Sequence, residues 1–340
     1  MLSRRNAALA TCLVTALGVP TLAHAGEVSV YVEGTAYSFI APADTGNDSA
    51  TGTQSVGRSL TTLSGTPFPP DVHARHFSSA GANLGSIGAI ASSRTEGTYA
   101  TQPGQVPLAS GQARASFTID DIQFTGGSPG TLVEVTPLFE VSGDLSRFAL
   151  PGSDGTVMSA SSLIDLDIEF GPAPGGTNFS GRMTSIFQQR GFDPPDFEFN
   201  AIGDLSGVTF PATIALDPFT AVVGLDYTLT VSLRVQSLAQ LGGIPTGTHN
   251  GTISSSALFG STVSFPTTGP VFLLPDGFSA TSLSASIESN EWTGTLVSVA
   301  PVPLPGALGL LACALGAVCF GARAGRPDRV RHRKRWIIAL

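Results

Sequence analysis

Apolar and polar residues alternate over short stretches through most of the middle of this chain. A period of two places apolar side chains on one face of a β-strand and polar ones on the other. Turn signals rich in Gly and Pro separate the stretches, so we predict an all-β fold: an antiparallel, jelly-roll-like β-sandwich. The predicted strands are residues 27–40, 114–124, 131–141, 158–170, 208–216, 221–236, 252–259, 261–265 and 280–292.

Residues 42–111 depart from this pattern. They are rich in Ser, Gly, Thr and Ala and contain few large apolar side chains. We predict a long irregular insertion over residues 42–77, a small-residue strand pair that turns at a Gly over residues 78–92, and a loop over residues 101–111. The β-sandwich ectodomain would then span residues 26–300, with an irregular Ser/Gly-rich region at 42–111.

The first 25 residues have the three-part pattern of a secretory signal peptide. Arg4 and Arg5 precede an apolar run of 13 residues at 7–19, and Ala23-His24-Ala25 supplies the small-x-small cleavage pattern. We therefore predict that signal peptidase cuts between Ala25 and Gly26. An uncleaved membrane helix is the alternative, although 13 residues are few for crossing a bilayer.

A second apolar run lies near the other end, within a predicted tail of residues 301–340. Residues 306–322 carry no charge and would form a helix of about 25 Å, which is at the short end for a bilayer. The motif Val302-Pro303-Leu304-Pro305 precedes this helix. A basic cluster at 323–335 follows it and should stay in the cytoplasm. The cluster consists of Arg323, Arg326, Arg329, Arg331, Arg333, Lys334 and Arg335.

This order of Val-Pro-x-Pro, short apolar helix and basic cluster resembles the PEP-CTERM sorting signal of Gram-negative bacteria, in its Val-Pro-Leu-Pro variant. The resemblance implies that the tail holds an exported protein in the inner membrane, with the ectodomain in the periplasm. It also implies that exosortase cuts near the motif and that the protein moves to the cell surface or medium, in association with extracellular polysaccharide and biofilm. Leu304 replaces the usual Glu, and residues 336–340 extend beyond the usual end. An ordinary C-terminal anchor helix is the alternative.

The middle of the chain also resembles the ectodomains that are common among PEP-CTERM proteins. The resemblance rests on the patterns of residues 82–91, 115–124, 218–233 and 257–279. It implies a β-sandwich and no established activity.

Charge and cysteine content exclude some classes of function. Residues 26–305 contain eight Arg, no Lys and 24 acidic residues, a formal charge of −16. Such a segment is unsuited to nucleic acid, because phosphate contacts need Lys and Arg. Cys12, Cys313 and Cys319 all lie outside it, so it has neither a disulfide nor a thiolate zinc site.

One predicted strand carries a ladder of carboxylates. Asp165, Asp167 and Glu169 share a parity and should point to one face. Stacked carboxylates repel one another, so they need either solvent or a cation such as Ca²⁺. A solvated sheet face is the interpretation that we favour, and we predict no other metal or cofactor.

Two further motifs suggest chemistry only weakly. Residues 126–130 fit G-x-S-x-G around Ser128, but a nucleophile elbow needs a following helix. A strand-like segment follows here, which favours a hairpin loop. Asp71, His73 and His76 could approach one metal, yet the surrounding Pro, Gly and Ser favour solvated loop histidines.

The sequence therefore favours a non-enzymatic surface or matrix protein that is exported and then sorted by its tail. A secreted carbohydrate-binding or carbohydrate-active β-sandwich with the same tail is the alternative. Aromatic platforms for sugars are few, because residues 26–305 contain only one Trp and four Tyr.

Overall fold

The computed structural model describes residues 26–37, 44–52, 55–65, 72–100, 107–151, 156–171, 176–190, 194–243 and 248–297. They belong to one compact unit, Met1–Ala300. The predicted signal peptide, sorting motif, membrane helix and basic cluster lie outside the described residues. Within the described ranges, no helix has the length and hydropathy needed to cross a membrane.

Strands dominate the described part of the chain, which contains no helix. In chain order they are β1 (Gly26–Tyr37), β2 (Asp44–Gly52), β3 (Ser55–Gly65), β4 (Val72–Asn83), β5 (Ser86–Ala100), β6 (Leu108–Thr125), β7 (Leu132–Val141), β8 (Asp144–Pro151), β9 (Thr156–Phe170), β10 (Thr177–Arg190), β11 (Asp196–Gly203), β12 (Ala212–Ala215), β13 (Phe219–Val222), β14 (Asp226–Gly243), β15 (Thr248–Ser264), β16 (Phe272–Leu273), β17 (Ser279–Thr281), β18 (Ile287–Glu288) and β19 (Glu291–Trp292).

The strands form two large antiparallel sheets, so the predicted all-β sandwich is confirmed. Sheet I has eight strands in the order β11-β10-β9-β14-β6-β1-β2, with β17 beside β6. Sheet II has nine strands in the order β12-β7-β15-β5-β4-β3, with β13 and β16 beside β7 and β8 beside β15. The small pair β18-β19 completes the described strands.

The prediction that residues 42–111 are irregular is wrong for most of that region. It contains β2 to β5, and the predicted turn of a small-residue strand pair is present at Gly85, whose φ is +100°. The small side chains here pack in the core, because Ala82, Ala89 and Ala91 are fully buried between the sheets. A Gly- and Ala-rich composition is therefore compatible with closely packed strands.

Strand boundaries differ from the sequence-based ones in several places. The predicted strand 221–236 is two strands, because the chain turns at Gly224 with a φ of +86°. The predicted strands 252–259 and 261–265 are one strand, β15, whose pairing register shifts between Phe259 and Val263. β8, β10 and β11 were not predicted. Ser, Arg and Gln interrupt the alternation in β8 and β10, and β11 is exposed along nearly its whole length, so no buried face marks it.

An aromatic cluster anchors one part of the core between the sheets. The ring of Phe124 lies 5.4 Å from the rings of both Tyr227 and Phe272, and Phe170 lies 5.1 Å from Phe219. Edge-to-face contacts of this kind add to the free energy gained by burying the rings. β6, β9, β13, β14 and β16 are thereby fixed against one another.

A row of buried polar residues, here called the polar seam, divides the core. On β14 it falls at Ser237, between Val235 of the larger apolar cluster and Ala239 of a smaller one. Hydrogen bonds cross the seam between the sheets: Ser93 Oγ lies 2.7 Å from Ser237 Oγ, and Arg147 donates to Ser185. The seam consists of the buried residues His76, Ser93 and Ser255 in sheet II and Ser162, Ser185 and Ser237 in sheet I, together with the half-buried Arg147 of sheet II.

Candidate functional site

A row of charged side chains crosses the outer face of sheet I. Strand register aligns Tyr31 with Arg114, Arg114 with Arg234, Arg234 with Asp165, and Asp165 with Arg182. These residues face away from sheet II because their neighbours along each strand, such as Leu233 and Val235, are buried in the core. We call these five residues the Arg row.

Two of the three arginines in the Arg row share one carboxylate, Asp165. Arg182 pairs with Asp165 through Nε, and its Nη2 lies 3.2 Å from Oδ2. Arg234 Nη1 lies 3.6 Å from the same Oδ2 atom. The hydrogen bond and charge of Asp165 raise the pKa of Arg182. Arg114 has no ion pair with a described carboxylate, and its guanidinium lies 5.9 Å from the centre of the Tyr31 ring.

The neighbouring row of sheet I supplies amide groups. Gln112 Oε1 accepts hydrogen bonds from Arg234 Nε at 3.0 Å and from Arg114 Nη2 at 3.2 Å. The Gln112 amide nitrogen donates to Glu33 at 2.7 Å, and the Gln236 amide contacts Gln112 and Arg234. The two arginines therefore share a neutral acceptor.

Two open depressions lie over these rows. One, of about 620 Å³, lies over Arg114, Arg182 and Arg234 together with Asp165 and Ser232. The other, of about 420 Å³, lies over Gln112, Gln236 and the strand segments beside them. Together they span the β14 positions from 232 to 238, a distance of about 20 Å along the strand. The two depressions offer guanidinium groups in one and amides, hydroxyls and the aliphatic side chains of Leu163, Ile186 and Leu238 in the other.

The predicted carboxylate ladder lies on this same face. Leu166 and Ile168 are fully buried, so the predicted division of β9 into a polar and an apolar face is confirmed. Asp165 is engaged by Arg182 and Arg234, and Asp167 accepts a hydrogen bond from Ser180. No group of three or more possible metal ligands occurs among the described residues.

The prediction that His73 and His76 lie in a solvated loop is wrong. Both lie on β4, where His73 is exposed and His76 is buried in the polar seam. Burial lowers the pKa of His76 to about 4, and its Nδ1 atom lies 3.0 Å from Ser93 Oγ. The two histidines point to opposite faces, so they do not form a joint metal site. Asp71 lies outside the described residues.

Ser128 lies in an exposed loop that connects β6 of sheet I to β7 of sheet II. The prediction of a hairpin is therefore wrong, since the loop joins two different sheets. Its carbonyl oxygen accepts a hydrogen bond from the Thr131 amide at 3.0 Å, which closes a turn. A strand follows, whereas a nucleophile elbow requires a helix at that point.

A larger depression, of about 870 Å³, lies beside sheet II. Its charged lining residues in the described part of the chain are Asp48 and Arg58, which pair with each other at 3.2 Å. Elsewhere on sheet II, Arg75 and Arg94 both contact Glu96. Burial alone would raise the pKa of Glu96, but these two arginines lower it. The arginines at these two places thus contact carboxylates, in contrast to Arg114 of the Arg row.

Sequence reasoning did not identify Arg114, Arg182, Arg234 or Gln112. The sequence did contain one signal. Residues 26–305 contain only eight arginines, and two of them, Arg114 and Arg234, lie at outward positions of predicted strands. The register that aligns them depends on strand order, which links β6 to β14 across about a hundred residues. Alternation alone cannot supply this information.

No family model and no curated protein matches the chain. Among solved structures, the chain has a faint likeness to the structure of the infectious bursal disease virus Gx strain. That match has 10% identity, covers 87% of this chain and 75% of that chain, and has a TM-score of 0.09. The VP2 subviral particle of the same virus gives 10% identity over 86% and 72% of the two chains, with a TM-score of 0.08. TM-scores this low carry no argument about fold or function.

Proposed function

We propose that this chain is an exported, non-enzymatic surface or matrix protein that is held in the inner membrane by its tail and then sorted. One observation carries the proposal. The described strands, from β1 at Gly26–Tyr37 to β19 at Glu291–Trp292, all lie between the two segments to which the sequence assigns export and sorting.

Both boundaries are well packed, which supports this division. Val28, near the start of β1, is fully buried between the sheets. At the other end, the Val297 amide donates to Ser86 Oγ at 3.2 Å and Asn83 donates to the Thr295 carbonyl. A domain anchored at both ends can remain folded while flanking segments are cut away. Its partners would be signal peptidase, exosortase and, at the surface, extracellular polysaccharide.

Intact mass measured on the membrane and medium fractions of a producing Gram-negative strain tests the proposal. We expect a chain that begins at Gly26, together with a released form that ends near Val302–Pro305. Pro303 and Pro305 should keep the motif extended, because proline prevents the helix from continuing outward. Changing both to Ala should leave the protein full-length and membrane-bound. Wild-type processing of this double variant would refute the sorting proposal.

A second candidate is a carbohydrate-binding sandwich with the same tail. The observation that favours it is the outer face of sheet I, where two open depressions contain arginines, amides and hydroxyls and where Tyr31 lies beside Arg114. Fold alone does not decide between these functions. We also propose a jelly-roll-like topology, which the repeated crossing of the chain between the sheets supports, as from β5 to β6 and from β14 to β15.

A further inference from the structure

Arg114 and Arg234 form a like-charged pair that is poorly neutralised. They are direct cross-strand partners on β6 and β14. Like charges in this position destabilise a sheet. Their shared acceptor is the neutral Gln112 amide oxygen. The Asp165 carboxylate pairs with Arg182 and, at 3.6 Å, with Arg234, so Arg114 has no carboxylate partner among the described residues. The pair therefore retains the capacity to bind an added anion.

The geometry of the pair favours a carboxylate. A guanidinium presents planar, parallel N–H donors that match the two oxygens of a carboxylate. A carboxylate that approaches from solvent can replace the weaker Gln112 contact without disturbing the ion pair of Asp165 and Arg182. The amide oxygen of Gln112 is neutral, whereas a carboxylate adds a full negative charge and can accept two parallel N–H bonds from a guanidinium, so the exchange is favourable.

The surroundings of the pair favour a ligand that is also rich in hydroxyl groups. The adjoining depression contains amides and hydroxyls, including Gln236, Ser110 and Thr184, beside the aliphatic side chains of Leu163, Ile186 and Leu238 and the carboxylate of Glu33. The amides and hydroxyls both donate and accept hydrogen bonds, as a sugar hydroxyl requires. Tyr31, beside Arg114, offers an aromatic face at the edge of the same surface.

We propose that the outer face of sheet I binds an acidic saccharide, with a carboxylate between Arg114 and Arg234 and sugar hydroxyls on the Gln112–Gln236 side. The proposal deepens the carbohydrate-binding function proposed above and rests on it. The ectodomain is acidic overall, so it repels a polyanion at long range. At physiological ionic strength the Debye length is about 8 Å, so salt screens this repulsion beyond that distance. Binding therefore depends on short-range contacts within the two depressions.

Titration calorimetry on the full-length chain, purified in a neutral detergent, tests this proposal with tetragalacturonate as the probe. We expect binding by the wild type and a loss of about tenfold or more in affinity for Arg114→Gln and for Arg234→Gln, because each removes charged hydrogen bonds. Arg58→Gln is the matched control. This substitution removes an exposed arginine from β3 of sheet II, away from the two depressions, and the variant should bind like the wild type.

Three control ligands define the chemistry. The methyl ester of tetragalacturonate lacks the charge and should bind at least about tenfold more weakly. Acetate and sulfate at equal charge concentration should not compete. Any of four results would overturn the proposal. The first two are equal binding of the ester and equal competition by the simple anions. The other two are unchanged binding by both Arg114→Gln and Arg234→Gln, and no binding of tetragalacturonate to the wild type. Sorting is scored separately by intact mass of the wild type, so failure here leaves the sorting proposal standing.

Discussion

The Nδ1 atom of His76 lies 3.0 Å from the Oγ atom of Ser93, at one end of the polar seam. Ser93 Oγ also lies 2.7 Å from Ser237 Oγ in the opposite sheet. The histidine side chain is only 1% exposed. His76 thus belongs to an interior hydrogen-bond network that joins the sheets, and a proton added to its ring would introduce a buried charge.

We predict that His76 makes folding less favourable in acid. Burial lowers its pKa from 6.5 to about 4. The unfolded chain therefore takes up the proton first, and stability is lost as the pH falls from 6.5 towards 4. The contribution is about 3 kcal/mol if the whole shift is expressed. Urea unfolding at several pH values should show a smaller loss for His76→Gln than for the wild type.

The control for this prediction is His73→Gln, which changes the exposed histidine on the opposite face of β4 and should keep the wild-type pH dependence. Proton NMR gives an independent measurement on the wild type. An imidazole of His76 that titrates near 6.5 in the folded protein would contradict the prediction.

A second prediction concerns the glycine against which His76 packs. A methyl group on Gly111 would overlap the His76 ring and the Glu33 carbonyl oxygen. Gly111→Ala should therefore lower the free energy of unfolding by about 1–3 kcal/mol, as overpacking usually does. Gly57→Ala is a matched control on β3, where the nearest atom to a new methyl group is 3.6 Å away. Equal urea midpoints for the two variants would refute this explanation.

Much of the sheet architecture follows from alternation, because burial enforces it locally. Leu229, Val231, Leu233 and Val235 lie inward on β14 at a strict period of two, as the sequence predicts. The polar seam does not follow from this rule. Ser162, Ser185 and Ser237 occupy inward positions where alternation predicts apolar residues. Ser185 and Ser237 have hydrogen-bond partners in other strands, Arg147 and Ser93, and the sequence does not reveal those partners.

The candidate site shows the same limit. Asp165 was identified because its strand also contains Asp167 and Glu169, and this local pattern is visible in the sequence. Arg114 and Arg234 are isolated charges in their own strands, and they become a pair only through strand order. Features that lie within one strand were predictable, whereas the site is made by neighbouring strands.

A third prediction is that Ca²⁺ has little effect on the fold. Calcium prefers six to eight oxygen ligands. The oxygens of Asp165 already contact Arg182 and Arg234, and Asp167 accepts from Ser180. Millimolar Ca²⁺ should leave the melting temperature of the wild type unchanged, since a ligand bound to the native state would raise it. A large rise that disappears in Asp167→Ala would show that the ladder binds calcium after all.

The final prediction separates the roles of two arginines in the same row. Arg114 lies opposite Arg234 without a carboxylate, so Arg114→Gln should remove repulsion and raise the free energy of unfolding by about 0.2–1 kcal/mol. Arg182 pairs with Asp165 at a half-exposed site, so Arg182→Gln should lower it by no more than about 1 kcal/mol. Urea unfolding at low and high salt measures both effects, and both should shrink as salt screens the charges. If Arg114→Gln is instead the more destabilised variant, Arg114 stabilises the sheet. The pair of Arg114 and Arg234 is then not left unneutralised for an anionic ligand.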